Sequence, residues 1–169
     1  MEPENQGSVP HGNRPRLFEI CLAKPSHGDS VARMSRRLIE FDLPWWSWTP
    51  KRVAQAIRSP DTIAIVARTP KKMLGFGIMR FGEEHSHLNL LAVDYAYRRG
   101  RIGSDMLRWL EESCCVAGIL SVSLEVRASN RGAIRFYQSL GYEKGELIPR
   151  YYCGQESALT MTHHLAEIA

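Results

Sequence analysis

Between Val93 and Ser104 the chain reads Val-Asp-Tyr-Ala-Tyr-Arg-Arg-Gly-Arg-Ile-Gly-Ser, the end of an apolar run followed by a turn with three arginines and two glycines. These residue types suit an anionic ligand. A helix that starts after such a turn leaves its first backbone N–H groups unpaired and carries partial positive charge at its N-terminus, so phosphate oxygens settle there. Gly100 and Gly103 would let backbone come close to the ligand, and Arg98, Arg99 and Arg101 would surround it with cationic donors. The plain alternative, a basic loop between a strand and a helix, stays open on this segment alone. The turn is not a P-loop, because no lysine follows Gly103, and it lacks the three glycines of a dinucleotide fingerprint.

The elements that must hold this turn are legible from periodicity. Ile102, Met106, Leu107, Leu110 and Cys114 share one helical face, and that helix runs to about Ala117 with Gly118 as its stop. Upstream, Leu17–Ala23 reads as a first strand. Asp29–Phe41 reads as a helix with Val31, Met34, Leu38 and Phe41 on one side, broken by Pro44. Thr49 and Pro50 make an N-cap and first-turn pair for a second helix through Ile57. Thr62–Ala67, Met73–Phe81 and Leu88–Val93 are strands joined by short polar turns, hence an antiparallel meander. Downstream come a strand over Leu120–Val126, a helix over Asn130–Leu140 closed by Gly141, and strands over Tyr142–Ile148 and Ser157–His163. The pattern predicts one mixed α/β (α+β) domain.

Composition narrows the function classes. The 169 residues carry a net charge of +4, 44% hydrophobic and 24% charged residues, ordinary values for one globular domain. No apolar run reaches membrane-spanning length, so no membrane role is expected. The densest basic cluster is the ligand turn itself, so a nucleic-acid partner is not expected either. Residues 1–14 are polar, with Gly and Pro and no apolar stretch, and read as a flexible leader to a domain over 15–169. Four cysteines show neither disulfide nor metal-ligand spacing, which suits a cytoplasmic home. His85, His87, His163 and His164 show no ligand spacing tied to an acidic partner; they read as strand-edge or terminal residues, and no metal is expected.

The turn resembles motif A of the GNAT acetyltransferases, Gln/Arg-x-x-Gly-x-Gly/Ala, with Arg98 in the first position and Gly103 in the last. Arg101 stands where the family has its middle glycine, and Gly100 comes one residue early. Leu124-Glu-Val-Arg-Ala-Ser-Asn130, Ala133-Ile134, Tyr137 and Leu140-Gly-Tyr142 resemble motif B of the same superfamily. More narrowly, they are similar to the bacterial RimI-type enzymes, which acetylate the N-terminal alanine of a small-subunit ribosomal protein. Tyr151-Tyr152, Glu156, Ala158 and Met161 match the continuation of that pattern, with Arg150 displaced from the arginine's usual place. Leu43-Pro-Trp-Trp-Ser47 resembles the Pro-Trp-Ser that follows the first helix in such chains. The resemblance covers roughly Phe18 to His163.

It implies a GNAT-like single domain with a central, mostly antiparallel twisted sheet flanked by helices. It also implies acetyl-CoA as co-substrate, held by Leu91, Ala92, Val93, the segment Arg98, Arg99, Gly100, Arg101, Ile102, Gly103 and Ser104, and by Asn130 and Tyr137. The acceptor is then a primary amine, foremost the N-terminal α-amine of a protein. At neutral pH an α-amine, with a pKa of about 7.7–8.0, is partly neutral, whereas a lysine at about 10.4 is almost wholly charged. The resemblance assigns Glu125 as the base, through water, and Tyr137 as the acid. Glu125 lies among apolar strand residues, where desolvation is expected to raise its pKa; the alternative is a surface glutamate paired with Arg127. Asn130 is also a natural helix cap. Trp45, Trp46, Tyr151 and Tyr152 are candidates to line an acceptor groove, with simple packing as the alternative for each. Two other functions stay open: a GNAT enzyme for a small amine or a lysine, and a non-catalytic acyl-CoA-binding regulator, for which Arg101 is the best argument.

Overall fold

Alternating and continuous apolar runs assemble into seven strands in one sheet, in the order β1-β2-β3-β4-β5-β7-β6. The structure is a computed structural model that describes residues 17–166; the expected leader over 1–14 lies outside the described residues. The strands are β1 (Glu19–Leu22), β2 (Thr62–Arg68), β3 (Met73–Phe81), β4 (Ser86–Val93), β5 (Ser121–Arg127), β6 (Glu143–Tyr152) and β7 (Glu156–His164). The helices are α1 (Gly28–Leu38), α2 (Pro50–Arg58), α3 (Ile102–Val116) and α4 (Arg131–Ser139). The β2–β4 meander is antiparallel, as expected, and so are the β1–β2, β5–β7 and β6–β7 pairs. Helices cover both faces. Met106, Leu107 and Leu110 of α3 bury Leu88, Leu124 and Met161 on one side, and Val31, Ala32 and Val53 of α1 and α2 bury Val66, Phe76 and Leu90 on the other.

One join in the sheet differs from the rest. β4 and β5 run parallel and pair only at Ser86 with Val122 and at His87 with Ser123. Beyond those rungs the strands part, so the inner edge of β4 from Leu88 to Val93 has no strand beside it. A bulge falls between the pairs Ile78–Leu90 and Met79–Leu88 and leaves Asn89 unopposed. It also resets the alternation: Leu88 faces the α3 core, whereas Leu90 and Ala92 face the α1–α2 core.

Local signals set several boundaries. Thr49 accepts from the Arg52 N–H with Pro50 in the first turn of α2, and the Asn130 side chain accepts from the Ala133 N–H at the start of α4. Gly118 and Gly141 take positive φ of 77° and 95° after their helices, where a side chain would strain the backbone. Of the expected boundaries that moved, two moved furthest. α1 ends at Leu38 rather than at Phe41, which is 48% exposed. Tertiary partners overrule the helical period there: Arg127 takes the carbonyls of Ile39 and Phe41, and buried Glu40 turns inward to accept from the backbones of Ser47 and Trp48. β6 runs on to Tyr152 instead of stopping at Ile148, because Pro149 lies in an edge strand, where a missing N–H costs no ladder bond. Among the described residues no helix is long and apolar enough to cross a membrane.

Candidate active site

Partners in a parallel ladder point the same way, so His87 and Ser123 share a face, and Glu125 follows two residues later on that face. The outcome is a contact at the apex of the strand split: His87 Nε2 lies 2.6 Å from Glu125 Oε2. Both side chains are mostly buried, with exposures of 27% and 21%. The hydrogen bond from His87 holds the Glu125 carboxyl below the usual glutamate range, and it outweighs burial, which acts the other way. The expected rise in the Glu125 pKa is therefore overturned. So is the reading of His87 as an unpaired strand-edge residue. The pair is separated by 38 positions in the chain, and only the β4–β5 pairing brings it together.

Arg127, the alternative partner for Glu125, points elsewhere. Its Nη1 donates to Asp42 at 2.9 Å and to Glu156 at 2.8 Å, and its Nη2 donates to the carbonyls of Ile39 and Phe41. The guanidinium also lies over the rings of Phe41, at 4.6 Å, and Tyr152, at 5.7 Å. The arginine thus ties the α1–α2 loop to the β5–β7 end of the sheet. Glu156 belongs to this clamp, with its second oxygen on the Ser129 hydroxyl.

Tyr151 and Tyr152 stand beside the dyad, edge to face with ring centroids 4.9 Å apart. Burial pushes up the pKa of the Tyr151 hydroxyl, and the Glu125 charge next to it adds to the effect. Burial does the same for Tyr152, whose hydroxyl also feels Tyr151, Glu125 and Tyr137, with Arg127 opposing. Tyr137 on α4 is buried against Phe136 and Tyr142, with ring centroids 5.1 Å and 5.4 Å away. Burial pushes its hydroxyl well above the ordinary tyrosine value, so it keeps its proton at neutral pH. Glu125, Tyr151 and Tyr152 are therefore brought together, with the Tyr137 hydroxyl near enough to Tyr152 to act on it. The tryptophans are not a unit: Trp45 is 59% exposed, whereas Trp46 packs into the α1–α2 core.

At the arginine turn, no side chain caps α3, and the Ser104 hydroxyl is spent on the Arg101 carbonyl, so the first N–H groups of the helix remain free for an anion. Arg98 bends back instead, with its Nε on the Val93 carbonyl and its guanidinium 3.9 Å over Tyr95. Gly100 avoids the left-handed region, while Arg99 and Arg101 occupy it with φ of 69° and 65°. A Cβ on Gly103 would sit 3.3 Å from the Phe136 ring, so this glycine seats α3 against α4. Ile102 and Ala92 are buried, and Leu91 and Val93 pack on the α3 core, which leaves backbone rather than side chain to face a ligand.

Residues 31–142 match the model of the Acetyltransferase (GNAT) family. The chain belongs to that family. It is 36% identical over 93 residues to the [ribosomal protein bS18]-alanine N-acetyltransferase of Escherichia coli (strain K12), a match covering 53% of this chain and 63% of that protein. It is 33% identical over 137 residues to an uncharacterised protein of Mycobacterium leprae (strain TN), covering 79% of this chain and 36% of that one. The sequence match thus spans less than two thirds of the length of either relative. The crystal structure of the Escherichia coli enzyme superposes with a TM-score of 0.77 at 26% identity, over 90% of this chain and 97% of that chain. That of Ard1 from Thermoplasma volcanium gives 0.78 at 27% identity, over 89% and 99%. The GNAT sheet and its flanking helices are as the motifs implied.

Proposed function

We propose that this GNAT chain is an acetyl-CoA-dependent N-acetyltransferase whose acceptor is the N-terminal α-amine of a protein, with transfer in a ternary complex. The observation that carries the reading is the ionised Glu125, held by His87 at the apex of the β4–β5 split with Tyr151 and Tyr152 beside it, and with Tyr137 protonated on α4. The residues present fit the co-substrate. The uncapped start of α3, with Arg99 and Arg101 exposed beside it, suits a pyrophosphate. The unpaired edge of β4 over Leu91, Ala92 and Val93 offers backbone donors and acceptors to the amides of a pantetheine arm. Asn130 stands at the neighbouring helix start, where its backbone turn can meet the same ligand.

Acetyl-CoA, when bound, supplies a thioester whose acyl carbon takes the amine and whose sulfur leaves as a thiolate. Glu125 attracts the cationic form of the amine and receives its proton through water, while the hydrogen bond from His87 fixes the carboxylate in place. Tyr137 holds its proton until a thiolate needs it. The name of the Escherichia coli relative, a ribosomal-protein alanine N-acetyltransferase, favours a protein's alanine amine over a small amine. Tyr151, Tyr152 and exposed Trp45 supply the aromatic wall for such a peptide.

Mass spectrometry after incubation with acetyl-CoA and a peptide bearing an N-terminal alanine and an internal lysine tests the acceptor. Acetyl on the α-amine is expected. Acetyl only on the lysine rejects this acceptor, and acetyl-CoA binding without any turnover favours the regulator.

A further inference from the structure

A second carboxylate–histidine cluster lies on the far side of Tyr137. Glu111, on α3, accepts at one oxygen both the Tyr142 hydroxyl and His163 Nδ1, each at 2.9 Å. Tyr142 is 2% exposed, and the Glu111 and His163 side chains are 15% and 24% exposed. The Tyr142 ring lies 5.1 Å from the His163 ring on one side and 5.4 Å, edge on, from the Tyr137 ring on the other. Gly141 makes room for this arrangement: a Cβ there would stand 2.6 Å from His163 Nε2.

Burial raises the pKa of the Tyr137 hydroxyl, and among the described residues no hydrogen bond steers it. Its direction therefore depends on the rings it leans against, and Tyr142 is one of two such rings. Tyr142 is itself anchored through its hydroxyl to the helix whose first turn faces the ligand. A buried carboxylate costs desolvation that an apolar side chain of similar size would not, so stability alone does not call for this cluster.

We propose that Glu111, Tyr142 and His163 form a brace that positions Tyr137 relative to α3, so that its hydroxyl meets the thiolate leaving from the ligand that α3 holds. The proposal rests on the reading of Tyr137 as the acid. The three are positioning residues, since none reaches the reacting atoms.

The test uses the full chain, acetyl-CoA and the N-terminal alanine peptide. Glu111→Leu is expected to lower kcat roughly 10-fold, as misplacement of a reacting group does, with KM for acetyl-CoA unchanged. Glu111→Gln, which keeps an oxygen for both donors, should restore kcat. In a Tyr137→Phe background, Glu111→Leu should have no further effect, because the group it positions is gone. If Glu111→Leu fails to fold, Tyr142→Phe, which removes one hydroxyl, carries the same comparison. A wild-type kcat in these variants, or an equal loss in both backgrounds, overturns the brace. An unchanged kcat in Tyr137→Phe alone overturns the acid assignment and the brace with it, whatever the Glu111 variants do.

Discussion

His87 Nε2 and Glu125 Oε2 meet at 2.6 Å where β4 and β5 stop pairing, so the last rung of the sheet and the candidate base are one structural feature. Any shift in that rung changes the ionisation of Glu125.

Replacing His87 with alanine removes the hydrogen bond and the charge that hold the Glu125 pKa down, and leaves the burial that pushes it up. Carboxyl NMR should therefore find Glu125 titrating at higher pH in His87→Ala than in the wild type. The linked stability has a definite sign. A depressed carboxyl pKa stabilises the fold above the ordinary glutamate range, and the gain disappears as pH falls through the folded value. Acid denaturation of His87→Ala should lose that component. An unmoved Glu125 titration would show that the contact carries no charge coupling.

Glu125→Gln should slow turnover by roughly 10²–10⁴-fold, the usual worth of general acid–base help. Calorimetry should find acetyl-CoA affinity nearly intact, because Glu125 lies away from the arginine turn. Wild-type rates in both Glu125→Gln and Tyr137→Phe would move catalysis to other residues.

Arg101 spends its left-handed conformation where the family motif has glycine. Arg101→Gly relieves about 1–2 kcal/mol of backbone strain and costs about 0.5–1 kcal/mol of chain entropy, so Tm should rise slightly. Acetyl-CoA affinity should fall less steeply with salt, since one cation has gone. Gly103→Leu acts in the opposite direction. It forces a side chain into Phe136, displaces the first turn of α3 and should abolish acetyl-CoA binding. Full affinity in that variant would detach the turn from the ligand.

Arg127→Met leaves Asp42, Glu156 and two loop carbonyls without their shared donor. Loss of charge-assisted hydrogen bonds of this kind costs about 1.5–3 kcal/mol, which urea melts should register. KM for the peptide should rise as the α1–α2 loop loosens, while acetyl-CoA affinity holds. A peptide KM that stays put would separate the clamp from the acceptor side.

Residues 93–104 and 124–142 were the legible part, because their chemistry is local. Thr49 and Asn130 cap helices through neighbours three residues away, and the apolar face of α3 repeats within one helix. The dyad was not legible. His87 reads as one polar residue among strand residues, and nothing near it in the chain hints at Glu125. His163 is similar: its carboxylate partner, Glu111, is 52 positions away. The end of α1 was misread for the same reason, since Phe41 fits the helical period until Arg127, 86 residues on, claims its carbonyl.

From sequence alone came the order of strands and helices, the expectation of an anion-binding turn, and the candidates Glu125 and Tyr137 for catalysis and Trp45, Trp46, Tyr151 and Tyr152 for the acceptor groove. The elements and the turn follow from short-range periodicity, capping and spacing, which one stretch of chain carries by itself, whereas the side chains were singled out by the resemblance to the RimI-type pattern. The protonation of Glu125, the separate fates of Trp45 and Trp46, and the use of Gly103 to seat α3 on Phe136 were decided only by the tertiary structure. Each depends on which distant side chain arrives at a given spot, and that is set by the parallel join of β4 and β5 and by the packing of α3 on α4.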